Sequence, residues 1–541
     1  MSTKSTDRIN LKQWLELKPY SQQTSTDKYY VELANKVKNV LTKKQPSAFL
    51  NEYLNEDEID ILCCFLVSYL EDIVTGSNIW NTFTKKHFSL YKKYLPFFPL
   101  ENYILNNVNM QDVNFLIWYF LNTIQQNFFI SPINEEIMDM ALEVKNILSD
   151  EYKYAPENPI LKSYYQLNRD ETNYFSVRGL IELILFNTYL FYPDTYIRFK
   201  KENEKEQKNK QKSVDKDREA MLFYEIKDNF INTSNTSLLA MTGKEWAAEL
   251  LGEKHPLYKD VINISPKVKG FFLYKGQDKN NIFIEHIASG RKFEMTKKSY
   301  EHYNDLKKVD TILLIGIVKW RGEWWFSGTS SKMDYNKKLI EDVKHTLAFK
   351  QTVNFLDFEE FEGNKLIKNQ MMAFLNANNG NFIAFMKRSQ VNEFIEKVTN
   401  CYNDKLNISE DEKERFKKNA KQKKDLKLEK EDEISADELD DPCIVFFNPH
   451  SGIEIAVGIN SAFPMKSNPF FHPEKSETDF WQLLLSNFYS AELVQFCLDT
   501  CKNNLPFLRK KVWKTYLKDI DFVLRFLKVD SYHSKPEITF L

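Results

Sequence analysis

The stretch at residues 268–328 limits what this chain can fold into more than any other. It holds six of the chain's 14 glycines: Gly270, Gly276, Gly290, Gly316, Gly322 and Gly328. Short runs of β-branched and aromatic residues alternate there with Gly, Asp and Asn, which reads as a compact antiparallel sheet or small barrel. The expected strands are 271–275, 282–288, 291–295, 311–319 and 323–327. If Arg321 and Gly322 form a two-residue turn, Trp320 pairs with Glu323, Lys319 with Trp324, Val318 with Trp325 and Gly316 with Ser327. One face of that hairpin then carries Leu313, Ile315, Ile317, Trp324 and Phe326. The other carries Ile312, Leu314, Val318, Trp320 and Trp325, with Gly316 and Ser327 making room for an indole. Both faces are apolar, so the hairpin is expected to be covered on both sides, by a barrel interior on one and by helices or the hairpin at 444–459 on the other.

The remainder is mostly helical by pattern. In the first two hundred residues, Tyr30, Leu33, Ala34, Val37, Val40 and Leu41 recur at helical spacing after Thr26 and Asp27. Asn55 with Glu58 three residues on reads as a cap opening a helix that Gly76 stops. Further helices are expected near 79–94, 112–127, 134–149 and 172–192. The fold class is α+β: a helical N-terminal domain, a central small antiparallel β-barrel-like module, and a helical C-terminal region with an added β-hairpin. The expected boundaries are 1–197 for the helical domain, 198–219 for a charged linker or helix extension, and 220–336 for the β-rich module with its leading helices. A helical segment at 337–403, a charged linker at 404–441 and a hairpin with C-terminal helices at 442–541 follow. A chain of 541 residues exceeds what one core supports.

Composition excludes more than it assigns. A formal net charge of −2 gives no global attraction to nucleic acid or anionic membrane. No P-loop or dinucleotide-binding glycine motif is present. Cys63, Cys64, Cys401, Cys443, Cys497 and Cys501 do not form a disulfide framework and fit a reducing cytosol, so a cytoplasmic protein is expected. The apolar runs at 113–121 and 180–192 are too short to span a bilayer, and no membrane association is expected. Cys497 and Cys501 stand one helical turn apart, but His450 or His472 would have to complete a metal site, and core packing is the better reading. No metal and no cofactor are expected.

Several motifs resemble an uncharacterised family of Bacteroidetes proteins, a domain of unknown function. They are Tyr69-Leu-Glu-Asp72, Gly76-x-x-Ile-Trp80, His87-x-x-x-Tyr91-Lys-Lys-Tyr-Leu-Pro96, Asp112-Val-Asn-Phe-Leu-Ile-Trp118, Tyr154-Ala-Pro-Glu-Asn158, Glu285-His-Ile-Ala-Ser-Gly-Arg291 and the stretch from Gly316 to Gly328. The resemblance implies no activity and no catalytic residues.

Two candidate sites remain. Glu71 and Asp72 lie in the last turn of their helix, where anions oppose the macrodipole, so they are expected to pair with Lys85, Lys86 or His87 or to hold a ligand. Arg291, Lys292, Lys297, Lys298, Lys319 and Arg321 surround an aromatic sheet, a mixture that suits nucleic acid. No catalytic residue is nominated. The chain reads as a non-enzymatic binding or scaffolding protein with a protein partner, the alternatives being nucleic-acid binding or an enzyme without a local motif.

Overall fold

Fifteen of the 20 residues of helix α4 (Glu56–Thr75) are buried, so its sequence must be apolar nearly all round. Asn55 and Glu58 close a capping box at its start, and Gly76 ends it in the left-handed conformation at φ +67°. Around α4 pack α1 (Leu11–Leu15), α2 (Asp27–Leu41), α5 (Ile79–Tyr91), α6 (Met110–Ile124) and α8 (Pro159–Tyr164). Helices α3 (Lys44–Leu50) and α7 (Glu135–Glu151) complete this layer.

The structure, a computed structural model, describes residues 8–125, 128–208, 216–344, 353, 360–405 and 440–532. It divides into two compact units, Met1–Asp357 and Phe358–Leu541. Most of the linker expected at 404–441, and residues 209–215 of the earlier charge run, lie outside the described residues. The flanks of that earlier run are helical, in α10 (Ile197–Lys208) and α11 (Lys216–Thr233).

The helix expected at 172–192 is shorter than its pattern. Helix α9 (Tyr174–Asn187) stops where Thr188 turns extended. A 3-10 turn at Tyr189–Phe191 and a π turn at Tyr192–Tyr196 then carry the chain into α10. Pro193 sits inside the π turn, where its missing N–H costs no α-helical bond. Helices α12 (Gly243–Leu251) and α13 (Tyr258–Ile262) lead into the sheet.

The five strands of the first unit, β1 (Val268–Gln277), β2 (Asn281–His286), β3 (Lys292–Thr296), β4 (Ile312–Trp320) and β5 (Glu323–Met333), close into a barrel in the order β1-β2-β3-β5-β4. The barrel is antiparallel except at β3–β5, which is parallel. The β4–β5 register pairs Trp320 with Glu323, Lys319 with Trp324, Val318 with Trp325 and Gly316 with Ser327, as the two-residue turn requires. Arg321 and Gly322 supply the two positive φ angles, 49° and 84°.

Both hairpin faces are covered. Leu313, Ile315 and Ile317 fill the barrel with Phe272, Ile284, Phe293 and Met295, and Trp324 and Phe326 pack against them. On the outside, Trp320 and Trp325 close on Tyr174 of α9, with ring centroids 6.3 and 6.0 Å away. Gly316 does not make room for an indole. A Cβ there would lie 2.3 Å from Cε of Lys267 and 2.6 Å from the Ser327 carbonyl oxygen, so the space belongs to a lysine. Helix α14 (Lys337–Lys344) lays Ile340 and Val343 against Ile287, Ala288 and Ile312.

The second unit contains a strand that the pattern reading assigned to helix. After α15 (Glu360–Ala377), β6 (Ile383–Lys387) pairs with β7 (Pro442–Asn448), which pairs with β8 (Gly452–Val457), giving the sheet order β6-β7-β8. The hairpin near 444–459 therefore belongs to its own three-stranded sheet. Helix α16 (Val391–Lys405) and α15 cover one side through Phe374, Val398, Val445 and Phe447. Helices α17 (Ser476–Leu485), α18 (Ala491–Cys501), α19 (Lys511–Lys518) and α20 (Ile520–Leu527) follow. The fold is α+β. No helix among the described residues is long and apolar enough to cross a membrane.

Candidate anion-binding pocket

Glu71 and Asp72 are fully buried, and neither pairs with Lys85, Lys86 or His87. Glu71 Oε2 meets Lys18 Nζ at 2.5 Å, from 53 residues earlier in the chain. That ammonium also donates to Ser68 Oγ at 2.8 Å and lies 3.6 Å from the centre of the Trp14 ring. The other oxygen, Glu71 Oε1, accepts from Asn158 Nδ2 at 2.9 Å. Asn158 in turn caps α8, accepting from Leu161 N at 3.1 Å.

Asp72 serves the following helix. Its Oδ1 accepts from Ser77 Oγ at 2.6 Å and Ile79 N at 3.1 Å. Its Oδ2 accepts from Trp80 N at 2.7 Å and the Tyr189 hydroxyl at 3.0 Å. The anion is unfavourable at the end of α4 but favourable at the start of α5, whose own cap residue Asn78 makes no side-chain cap bond. Burial raises the Asp72 carboxyl above the usual range, opposed by these four donors. His87 is elsewhere, with Nδ1 2.6 Å from the Lys93 carbonyl and its ring against Phe83 and Tyr91.

What the acid pair positions is a pocket of about 300 Å³. Asp72 fixes one wall, the turn Gly76, Ser77 and Asn78, and Glu71 through Asn158 fixes the α8 wall that carries Lys162 and leads to Tyr165. The third wall is the end of α12, with Leu250, Leu251 and then His255. A capping box of Thr242 and Glu245 starts α12, and Lys86 on α5 holds it through Glu249 at 2.6 Å.

The lining is one-sided in charge. Lys162 and Arg169 contribute cations, and among the described residues no aspartate or glutamate lines the pocket. A Cβ on Gly76 would lie 3.8 Å from Lys162 Nζ, so that ammonium stands over the turn. His255 Nδ1 accepts from Leu257 N at 3.2 Å, which puts its hydrogen on Nε2, facing the Leu167 carbonyl at 3.4 Å. Leu167, Leu250 and Leu251 supply an apolar strip. The sequence reading missed this site because its three segments lie far apart and only the first, within Gly76-x-x-Ile-Trp80, falls in a motif, one that carries no chemistry. Gly76 was the one local signal.

The six basic residues around the barrel fall into two groups, Arg291 with Lys292, and Lys297 with Lys298 near the β4–β5 turn that carries Lys319 and Arg321. Arg291 and Lys292 lie at one end of β3, with Arg291 5.3 Å from the Phe293 ring, while Lys297 and Lys298 lie at the other. A five-residue strand separates the two ends by roughly 15 Å. Lys297 donates to the Asp278 carbonyl at 2.5 Å, and Lys298 pairs with Glu323 at 3.0 Å. Arg321 reaches Asp260 at 3.2 Å and the Glu171 carbonyl at 2.9 Å, while Lys319 is exposed beside it.

Cys497 and Cys501 are buried, while His450 faces Glu492 and His472 faces Glu474. Among the described residues no group of three or more His, Cys, Asp or Glu could hold a metal ion. No curated protein and no solved structure matches the chain. Residues 8–406, well over half of the chain, match the model of the family described as "Protein of unknown function (DUF3843)", and the chain belongs to that family.

Proposed function

We propose that this protein is a non-enzymatic, cytoplasmic binding protein for a small molecule, held in the pocket between the α4–α5 turn, α8 and the end of α12. The observation that carries the reading is a preformed concavity with an apolar strip facing a few polar groups, its walls fixed by buried side chains. Among the described residues the lining holds no cysteine and no carboxylate, and the Ser77 hydroxyl is committed to Asp72 Oδ1, the same oxygen that takes the Ile79 N–H and so fixes the turn. Six free cysteines fit a reducing compartment. The test is a thermal-shift and native mass-spectrometry screen of the full chain beside Leu251→Trp, whose indole fills the pocket. A compound that stabilises the native chain and loses its effect in the variant is expected; equal effects on both would refute the site.

A second reading rests on the barrel's connectivity. β1 pairs with both β2 and β4, and β3 runs parallel to β5, the arrangement of OB-type Greek-key barrels. Such barrels bind oligonucleotides and oligosaccharides over β2–β3 and the β1–β2 and β4–β5 loops. Phe283 is half-buried on the outer face of β2, with Lys292 on β3 and Arg321 in the β4–β5 turn. A shift of single-stranded probes at low salt that disappears as salt rises would support this reading, and no shift at low salt removes it.

A further inference from the structure

We infer that the ligand of this pocket is an organic dianion, a phosphate monoester of a small apolar or aromatic group; this rests on the pocket being the binding site. Lys162 and Arg169 both line the cavity, and neither has a carboxylate partner among the described residues. Three lysines of this unit that face another element meet an acid: Lys18 meets Glu71, Lys86 meets Glu249, and Lys267 meets Glu225 and Asp228. The pocket departs from that pattern, because a concave site with two cations and no lining acid leaves two positive charges for the occupant to balance.

A carboxylate would neutralise one of them and a phosphate monoester both. The donors also suit phosphate. Lysine acts as a point charge and arginine as a planar fork that takes two oxygens, so three phosphoryl oxygens can be shared between them. Gln166 lines the same space, and His255 adds an Nε2–H whose bond to the Leu167 carbonyl is long at 3.4 Å. Behind the phosphoryl position, Leu167, Leu250 and Leu251 require an organic group rather than a second charge. Gly76 keeps the approach open, since its φ of +67° disfavours any side chain there.

The test is isothermal titration of the full chain at low salt with phenyl phosphate, inorganic phosphate, benzoate and benzyl alcohol. Phenyl phosphate is expected to bind most tightly, inorganic phosphate and benzoate more weakly, and benzyl alcohol not measurably. Lys162→Gln and Arg169→Gln should each weaken phenyl phosphate by about tenfold or more, the loss of one charge-assisted contact. Both side chains are exposed, so melting temperatures should not move. Failure of phenyl phosphate to bind overturns the inference. So does binding no tighter than that of benzyl alcohol, or binding that neither charge substitution changes. In the last two cases Leu251→Trp decides the pocket separately. If that variant abolishes the binding, the pocket stands and only its preference for anions falls; if binding survives, the pocket reading falls as well.

Discussion

Replacing Glu71 by Gln should cost far more than its conservative chemistry implies. In the native chain Lys18 and Glu71 have side-chain exposures of 2% and 0% and meet at 2.5 Å. Glu71 satisfies two donors at once, Lys18 Nζ through Oε2 and Asn158 Nδ2 through Oε1. A glutamine amide offers one acceptor. Turned toward Lys18 it sets its NH2 against that of Asn158, and turned the other way it sets NH2 against the buried ammonium. Either way the lysine loses its counter-charge in a dry environment, a loss worth about 3–5 kcal/mol. For a unit of this size that corresponds to a fall in melting temperature of about 4–7 °C.

The informative companion is Lys18→Met with Glu71→Met. With both charges gone no ion is left buried and unpaired, only one N–H of Asn158, and ion pairs replaced by apolar residues of similar volume are often neutral or more stable. The double variant should therefore recover most of the loss, read by calorimetry on both proteins. Two results would refute the reasoning. One is a Glu71→Gln cost below about 1 kcal/mol, the range of exposed pairs. The other is a double variant no more stable than the single one. Because Glu71 also holds Asn158, and Asn158 caps α8, the single variant should weaken ligand binding at Lys162 as well.

Further outcomes follow from the junction between barrel and helices. Gly316→Ala would drive a methyl to 2.3 Å from Lys267 Cε and 2.6 Å from the Ser327 carbonyl oxygen, and because the second neighbour is backbone, a loss of about 1–3 kcal/mol is expected in denaturant titrations; an unchanged midpoint would mean that the strands part freely. Burial pushes Glu225 up, but Lys269, Lys267 and the Thr329 hydroxyl outweigh it and bring the carboxyl down to about 2 from an ordinary 4.5. A depressed acid stabilises the fold above its unfolded value, so this contribution should be complete above pH 4.5 and lost as the pH falls toward 2. Glu225→Gln should flatten that part of the stability–pH curve, and an unchanged slope would assign the acid response to other groups.

The parts of the fold legible in sequence were those decided by neighbours. The β4–β5 register follows from a two-residue turn with positive φ at Arg321 and Gly322, so every pairing out to Gly316 and Ser327 was fixed locally. The capping box at Asn55 and the stop at Gly76 are equally local. Contacts that span the chain left no such trace. Lys18 and Glu71 are 53 residues apart, and a lysine at that distance looks like any surface lysine until the fold buries it. Gly316 looked like room for a tryptophan because its indole neighbours are near in sequence, whereas Lys267, on the adjoining segment, takes the space. β6 has five residues and pairs with residues 442–446, so neither length nor a nearby turn announced it.

The extent of the family match bears on the second unit. The match ends at residue 406, after β6 and α16 but before β7 and β8. In the fold these pieces share one core: Ile367, Phe374, Ala384 and Val398 pack with Cys443, Val445 and Phe447, and the Phe374 and Phe447 rings lie 5.5 Å apart. A chain ending at 406 would leave β6 with no partner strand, both edges open and that apolar face uncovered, which a short strand cannot sustain in water. Limited proteolysis of such a chain should therefore cut within 360–405 at once, while the full chain should protect that stretch and the barrel should resist equally in both. If 360–405 stays protected without β7 and β8, the sheet is not what holds α15 and α16. If it is cut, the matched region stops inside a folding unit, and the strands beyond 440 are needed to finish it.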